Sequence, residues 1–215
     1  MTINIRTGQI AYIVIAISFV SSLMFHPYTG SWLVKPLPVL IMSLLCWKYL
    51  EGSERTLLTL GFIFSGLGDV FLDLDRTAFF KQGLLSFLVT QILFTVAFWK
   101  RRIMSKERWV AAALVALYSV IMIVLLWSSL GNLKIPVLIY ILALTSMGMT
   151  AAFREGPLTG VYLGAFLFVI ADSLIAVNKF LQPFDHSLMI IIGLYMTGQF
   201  FIGRGVLMKE GSGTQ

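Results

Sequence analysis

Apolar residues run through this chain in long blocks that short polar turns separate. A helix that crosses a bilayer needs about 17 to 25 apolar residues, and eight blocks approach or reach that length. The predicted segments are Gln9–Phe25, Trp32–Tyr49, Thr56–Leu74, Phe79–Lys100, Trp109–Trp127, Leu133–Phe153, Leu158–Phe180 and His186–Met208. Because the connections are short, neighbouring helices should run antiparallel. The pattern therefore predicts an all-α membrane bundle of eight transmembrane helices.

Composition supports the same fold class. Of the 215 residues, 58% are hydrophobic and 12% are charged, whereas a soluble domain carries about 25% charged residues. Too little polar sequence remains for a separate soluble domain, so residues 1–215 are interpreted as one integral-membrane domain. The first apolar segment follows a single charge, Arg6, and lacks a small-residue cleavage site. We interpret it as a retained helix rather than a signal peptide.

The basic residues predict the orientation, because Lys and Arg are enriched in cytoplasmic loops. The ends of the segments on the side of the N-terminus hold 11 basic residues, namely Arg6, Lys48, Arg55, Lys100, Arg101, Arg102, Lys106, Arg108, Arg154, Arg204 and Lys209. The opposite ends hold 5, namely Lys35, Arg76, Lys81, Lys134 and Lys179. Both termini should therefore be cytoplasmic. The net charge of +6 is explained by these loops without a nucleic-acid partner. The run from Lys100 to Arg108 is interpreted as a topology anchor, with a lipid headgroup site as the alternative.

Two segments place carboxylates within the hydrocarbon layer. Asp69 follows Gly61 by eight residues, and Asp172 follows Gly164 by eight, with phenylalanines between in both. This recurrence in the third and seventh segments suggests a weak internal repeat of two four-helix halves. Ionisable residues at such depth are expensive and are functional candidates by default.

We hypothesise that Asp69 and Asp172 meet in one cavity as a dyad. Like charges disfavour double ionisation, so one member would be an acid and the other a base. The alternative is that each only accepts hydrogen bonds that fix helix packing. Asp73, one turn nearer the outer surface, is either a third member or a residue in interfacial water.

Further polar residues are candidates for substrate binding. Lys35 opens the second segment on the outer side, where it either snorkels or, as we favour, meets a lipid phosphate. Asn178 either marks a helix end or contacts a headgroup. Tyr195 and Gln199 share one face of the last helix, where interhelical bonding and a site role are both open. The candidate set is Lys35, Asp73, Asn178, Tyr195 and Gln199.

Few residues suit a metal. Cys46 is the only cysteine, and the chain has two histidines. This excludes an intrachain disulfide and argues against a zinc site of His and Cys ligands. No metal and no cofactor are predicted.

Several of these motifs occur together, in order, in one known family. They are Lys35-Pro36, Phe64-Ser65-Gly66-Leu67-Gly68-Asp69 with Leu72, Gly83-Leu84-Leu85-Ser86-Phe87, Gly164-Ala165-Phe166-Leu167-Phe168-Val169-Ile170-Ala171-Asp172-Ser173-Leu174 with Asn178 and Phe180, and Tyr195 with Gln199. On these residues the chain resembles the YhhN-like family of eight-helix membrane proteins, which includes the mammalian lysoplasmalogenases. The family often has a histidine where this chain has Gln91.

The resemblance implies hydrolysis of the vinyl ether bond of a lysoplasmalogen to a fatty aldehyde and a glycerophospho-alcohol. Its substrate would be a lysophospholipid drawn from the surrounding membrane lipids. A carboxyl that protonates the vinyl carbon and a carboxylate that activates water suit this chemistry, by the logic of glycoside hydrolysis. We expect a multi-pass protein of a bacterial inner membrane, with an active site that opens toward the outer, periplasmic half.

Two other functions remain as alternatives. Gly66-Leu67-Gly68-Asp69 spells the Gly-x-Gly-Asp of intramembrane aspartyl proteases. Those proteases place their other aspartate before that motif, and this chain lacks a Pro-Ala-Leu sequence. The second alternative is a lipid or small-molecule transporter in which the acids relay protons.

Overall fold

A computed structural model of the chain describes residues 4–208. In this range eight helices are long and apolar enough to cross a membrane, and no strand is formed. They are α1 Ile5–Ser22, α2 Ser31–Tyr49, α3 Gly52–Leu74, α4 Phe80–Lys100, α5 Lys106–Leu126, α6 Lys134–Phe153, α7 Val161–Ala176 and α8 Ser187–Leu207. The eight predicted segments are confirmed, with ends that differ by a few residues. Lys209, counted above among the cytoplasmic basic residues, lies outside the described range.

Two helices are irregular at the same end of the bundle. The helical pattern of α2 is interrupted at Lys35 and Pro36, because proline has no N–H to donate and its ring clashes with the preceding turn. Helix α7 continues into a π-helical turn, Val177–Leu181. Such i→i+5 turns change the angular spacing of side chains and recur at functional sites. The irregular turns contain Lys35 and Asn178, two of the candidate residues.

The most extensive helix contacts join α3 to α4 and α7 to α8, while α1 and α2 both pack on α8. The α7–α8 contact depends on glycines. A Cβ added at Gly198 would lie 2.7 Å from the carbonyl oxygen of Gly164, and one added at Gly164 would lie 2.5 Å from that of Gly198. Small residues of this kind let membrane helices approach closely. This contact holds the seventh helix, which bears Asp172, against the eighth, which bears Tyr195.

We expect Gly198→Ala to destabilise the protein by about 1–3 kcal/mol, since overpacking forces the α7 and α8 backbones apart. Gly193→Ala on the same helix is the matched control, because a Cβ there meets nothing within 4 Å. The measurement is the thermal unfolding midpoint of each purified variant in detergent. Equal midpoints for the two variants would contradict a packing role for Gly198.

Basic residues at the bundle end opposite these irregular turns make structural contacts. Glu54 is buried and accepts hydrogen bonds from Arg154 and from Arg101, the latter at 2.7 Å. Arg108 donates to the carbonyl oxygens of Ala152, Arg154 and Gly156 at the end of α6. Part of the basic run therefore holds α3, α5 and α6 together, a role that the topology interpretation did not include.

Candidate active site

A polar cavity of about 140 Å³ lies among α2, α3, α4, α7 and α8 at the end that contains the irregular turns. It brings together five of the seven predicted site residues, namely Lys35, Asp69, Asp172, Asn178 and Tyr195. Asp69 and Asp172 therefore face one space. Leu72, Phe80, Phe87, Ile175, Ile191 and Ile192 supply its apolar wall.

Asp69 lies at a point where positive charge and hydrogen-bond donors converge. Its side chain is 2% exposed, and the Lys35 ammonium lies 3.7 Å from Oδ1. The Tyr195 hydroxyl donates to Oδ2 at 2.6 Å. Both contacts favour an ionised carboxylate, because a nearby cation and a donated hydrogen bond stabilise the charged form.

A chain of hydrogen bonds runs from Gln199 through Ser65 and Tyr195 to Asp69. Gln199 Nε2 donates to Ser65 Oγ at 2.6 Å, and Ser65 Oγ lies 2.9 Å from Tyr195 Oη. Since Tyr195 gives its proton to Asp69, Ser65 donates to Tyr195. Gln199 is fully buried and is not among the residues that line the cavity. Its contacts in the described chain are those of a residue that orients Tyr195.

Lys35 does not snorkel. Its side chain is 3% exposed and its ammonium lies between Asp69 and Asp73, 3.8 Å from Asp73 Oδ1. The Asp73 side chain is 1% exposed and lies 3.6 Å from His26 Nε2, so the alternative of interfacial water is wrong. Asp73 Oδ2 is buried with no hydrogen-bond partner among the described residues. Lys35 therefore links two buried carboxylates, and its contact with a phosphate stays a prediction.

Asp172 has neutral partners. Tyr140 Oη of α6 and Gln91 Nε2 of α4 both donate to Asp172 Oδ2, the latter at 3.3 Å. Neither bond goes to Oδ1, and no Lys, Arg or His of the described chain forms an ion pair with Asp172. The two aspartates therefore share a cavity but have unlike electrostatic surroundings.

The partners of the two aspartates come from helices in matching places of the two halves. Each aspartate takes one partner from the preceding helix of its own half and another from the last helix of the other half. For Asp69 these are Lys35 and Tyr195, and for Asp172 they are Tyr140 and Gln91.

Two residues that contact the carboxylates, Tyr140 and His26, were missed by the reasoning from sequence. Arg76 and Lys179, counted above among the basic residues on the side of Lys35, line the cavity beside Asn178. The available signal was the position of Tyr140, the one tyrosine of the apolar helix α6. Asn178 lies in the π turn, where Oδ1 accepts a hydrogen bond from the Phe184 N–H at 3.3 Å, so it both lines the cavity and fixes the helix end.

The arrangement suits proton transfer that involves both carboxyls, because their surroundings differ. One carboxyl is surrounded by a cation and a chain of donors, and the other by two neutral donors on a single oxygen. Such paired environments separate an acid from a base. In the described part of the chain, no three His, Cys, Asp or Glu side chains are grouped as metal ligands would be.

Comparison with known proteins agrees with the motifs. Lysoplasmalogenase TMEM86A of Homo sapiens is 30% identical over 190 residues, which cover 82% of this chain and 78% of the human protein. Lysoplasmalogenase of Mycobacterium bovis is 31% identical over 167 residues, covering 72% of this chain and 64% of that protein. No solved structure is significantly similar to the chain.

The YhhN family model matches residues 30–206, which include α2 to α7, nearly all of α8 and every aspartate of the cavity. The resemblance seen in the motifs is thereby confirmed, and the chain belongs to the YhhN family.

Proposed function

We propose that this protein hydrolyses the vinyl ether bond of a lysoplasmalogen, with Asp69 and Asp172 as the base and the acid. The observation that carries the proposal is the pair of buried carboxylates with unlike partners in one cavity. Membership of the YhhN family supports it, because relatives at about 30% identity are named lysoplasmalogenase. The products are a fatty aldehyde and a glycerophospho-alcohol.

Asp69 is the base in this proposal. The Lys35 ammonium at 3.7 Å and the Tyr195 hydroxyl at 2.6 Å stabilise its carboxylate form. An ionised Asp69 stabilises positive charge in the substrate and accepts a proton from water.

Asp172 is the acid. Its two donors, Tyr140 and Gln91, both bond to Oδ2, so Oδ1 remains for the proton. Without a cation beside it, burial favours the neutral carboxyl. A neutral carboxylic acid in an apolar wall is a suitable donor to a carbon atom, which must be protonated for a vinyl ether to react.

The reaction balances with one water. The Asp172 proton goes to the vinyl carbon on the chain side, and the electron pair of the double bond forms the new C–H bond. The carbon next to the ether oxygen becomes an oxocarbenium ion beside the Asp69 carboxylate. Water then bonds to that carbon while Asp69 takes its proton, which gives a hemiacetal.

The hemiacetal then collapses. Its hydroxyl proton goes to Asp172, the carbon–oxygen bond to the glycerol breaks, and Asp69 gives its proton to the leaving oxygen. Both aspartates return to their starting states, and the products together contain the elements of the substrate and one water. No other reactant is consumed.

Cations at the polar side of the cavity suit the phosphate. Arg76 and Lys179 line it together with Asn178, and Lys35 lies deeper, in contact with Asp69 and Asp73. We therefore propose Arg76 and Lys179 as phosphate contacts alongside Lys35.

The basic bias of 11 to 5 supports a site that opens toward the periplasmic half of a bacterial inner membrane. The matched partners of the two aspartates support the internal repeat of four and four helices.

The test is to incubate the purified protein with a lysoplasmalogen in D₂O and to analyse the aldehyde by mass spectrometry. We expect one deuteron at the carbon beside the carbonyl, because a solvent-exchanged carboxyl protonates that carbon. A lysolipid with a saturated ether should yield no aldehyde. Aldehyde without deuterium would exclude carbon protonation, and no aldehyde at all would leave peptide cleavage and proton-coupled lipid flux as the functions to assay.

A further inference from the structure

A second, apolar cavity adjoins the polar one. It has a volume of about 60 Å³ and lies among α4, α5, α6 and α7. Its walls are mostly hydrocarbon, and Met122, Leu126, Val137 and Leu144 are typical members. We call this space the apolar chamber. No Lys or Arg among the described residues lines it, so it does not suit a phosphate.

Asp172 lies where the apolar chamber meets the polar cavity, because it lines both, whereas Asp69 lines only the polar cavity. Leu72, Phe80 and Phe87 also belong to both walls. A ligand that passes Asp172 would therefore have a polar part near Lys179 and an apolar part in the chamber.

A third space continues from the chamber to the outside of the bundle. It is a groove of about 480 Å³ between α4 and α6, and it shares Phe80, Leu84, Val137 and Tyr140 with the chamber. We call it the α4–α6 groove. Leu85 and Ile135 in its wall are 61% and 73% exposed. In a bilayer these side chains face lipid, so the groove is open to the hydrocarbon layer.

We propose that the apolar chamber and the α4–α6 groove together bind the single hydrocarbon chain of the substrate, which enters sideways from the bilayer. This inference rests on the proposed function and assigns it a chain-binding site. The chamber has room for about four to six methylene-sized groups, at one such group per 10–15 Å³. The chain of a lysolipid is longer than that. The groove continues from the chamber with a mostly apolar wall, in which Lys81 and Lys179 are the charged members.

The direction of the chain agrees with the roles of the aspartates. The vinyl carbon that is protonated is the one on the chain side, and Asp172 is the carboxyl that lines the chamber. The carbon that water attacks is on the glycerol side, toward the cavity that Asp69 lines. A reversed substrate would put a phosphate in the apolar chamber, which no Lys or Arg of the described chain lines.

Leu84→Trp tests the route, because Leu84 lies at the junction of chamber and groove. Two substrates are compared, a long-chain lysoplasmalogen and a short-chain analogue whose chain fits within the chamber. We expect Leu84→Trp to lower kcat/KM for the long chain by about tenfold or more, in line with the discrimination that pocket contacts achieve, and to lower it for the short one by a much smaller factor. Ile92→Trp is the matched control, since Ile92 lies on the lipid face of α4, is 51% exposed and lines neither space.

Equal effects of Leu84→Trp on the two chain lengths would overturn the proposal, whether both activities are kept or both are lost. If that variant does not fold, Val137→Trp on the opposite side of the junction takes its place.

Cross-linking gives a readout that does not need turnover. A saturated-ether lysophospholipid with a photoreactive group in its chain should label peptides that contain Leu84 and Val137. If other peptides are labelled while the protein still hydrolyses lysoplasmalogen, the proposed chain-binding route is wrong and the proposed function stands. If the peptides with Leu84 and Val137 are labelled but the protein hydrolyses no lysoplasmalogen, the proposed function is wrong and the binding site stands.

Discussion

Replacing Asp172 with Asn should lower kcat for vinyl ether hydrolysis by about 10²–10⁴-fold, the usual contribution of general acid–base catalysis. An amide has nearly the same shape as a carboxyl but cannot protonate the vinyl carbon. Tyr140 and Gln91 can still donate to its oxygen, so we expect the fold to be retained. Aldehyde release by the purified variant, with its unfolding midpoint measured alongside, is the readout.

Asp69→Asn should cause a loss of similar size, because the oxocarbenium ion and the attacking water lose their base. The double variant should be little worse than either single one, since groups that act as a unit are not additive. Asp185→Asn, a change of the same chemistry at an exposed position before α8, should leave activity unchanged. Wild-type turnover in either aspartate variant would remove that residue from the mechanism.

Lys35→Met should also cause a large loss of hydrolytic activity. The structure changes which kinetic parameter we expect this substitution to affect. A lysine that only holds the phosphate binds substrate and transition state equally, so its loss would raise KM and preserve kcat. Lys35 instead lies 3.7 Å from Asp69 and 3.8 Å from Asp73. Without its charge, Asp69 is less readily ionised, and we expect kcat itself to fall.

The same substitution should destabilise the protein by about 3–5 kcal/mol, the usual result of removing one member of a buried ion pair. Asp73→Asn in the Lys35→Met background should recover part of that loss, because one unpaired carboxylate is removed. Lys35→Arg should retain part of the activity. Lys106→Met, at an exposed position at the opposite end of the bundle, is the control. If Lys35→Met raised KM and kept kcat, Lys35 would serve only as a phosphate contact and would not support the ionised form of Asp69.

The sequence by itself determined the number, type and approximate bounds of the helices. The reason is local, because each apolar block must satisfy its own backbone hydrogen bonds in hydrocarbon, and an α-helix does so within one segment. It also identified Asp69 and Asp172 as candidates. A carboxylate inside an apolar helix is costly wherever the helix lies, so its neighbours need not be known.

The tertiary structure decided which side chains surround those aspartates. Contacts between helices depend on how each helix is rotated and on where it breaks, and neither is encoded in one segment. The break at Lys35–Pro36 places a lysine between two buried carboxylates, where the sequence alone left open a snorkelling side chain. Tyr195 and Gln91 reach the aspartate of the other half of the chain. The difference in charge around Asp69 and Asp172, on which their separate roles depend, therefore exists only in the assembled bundle.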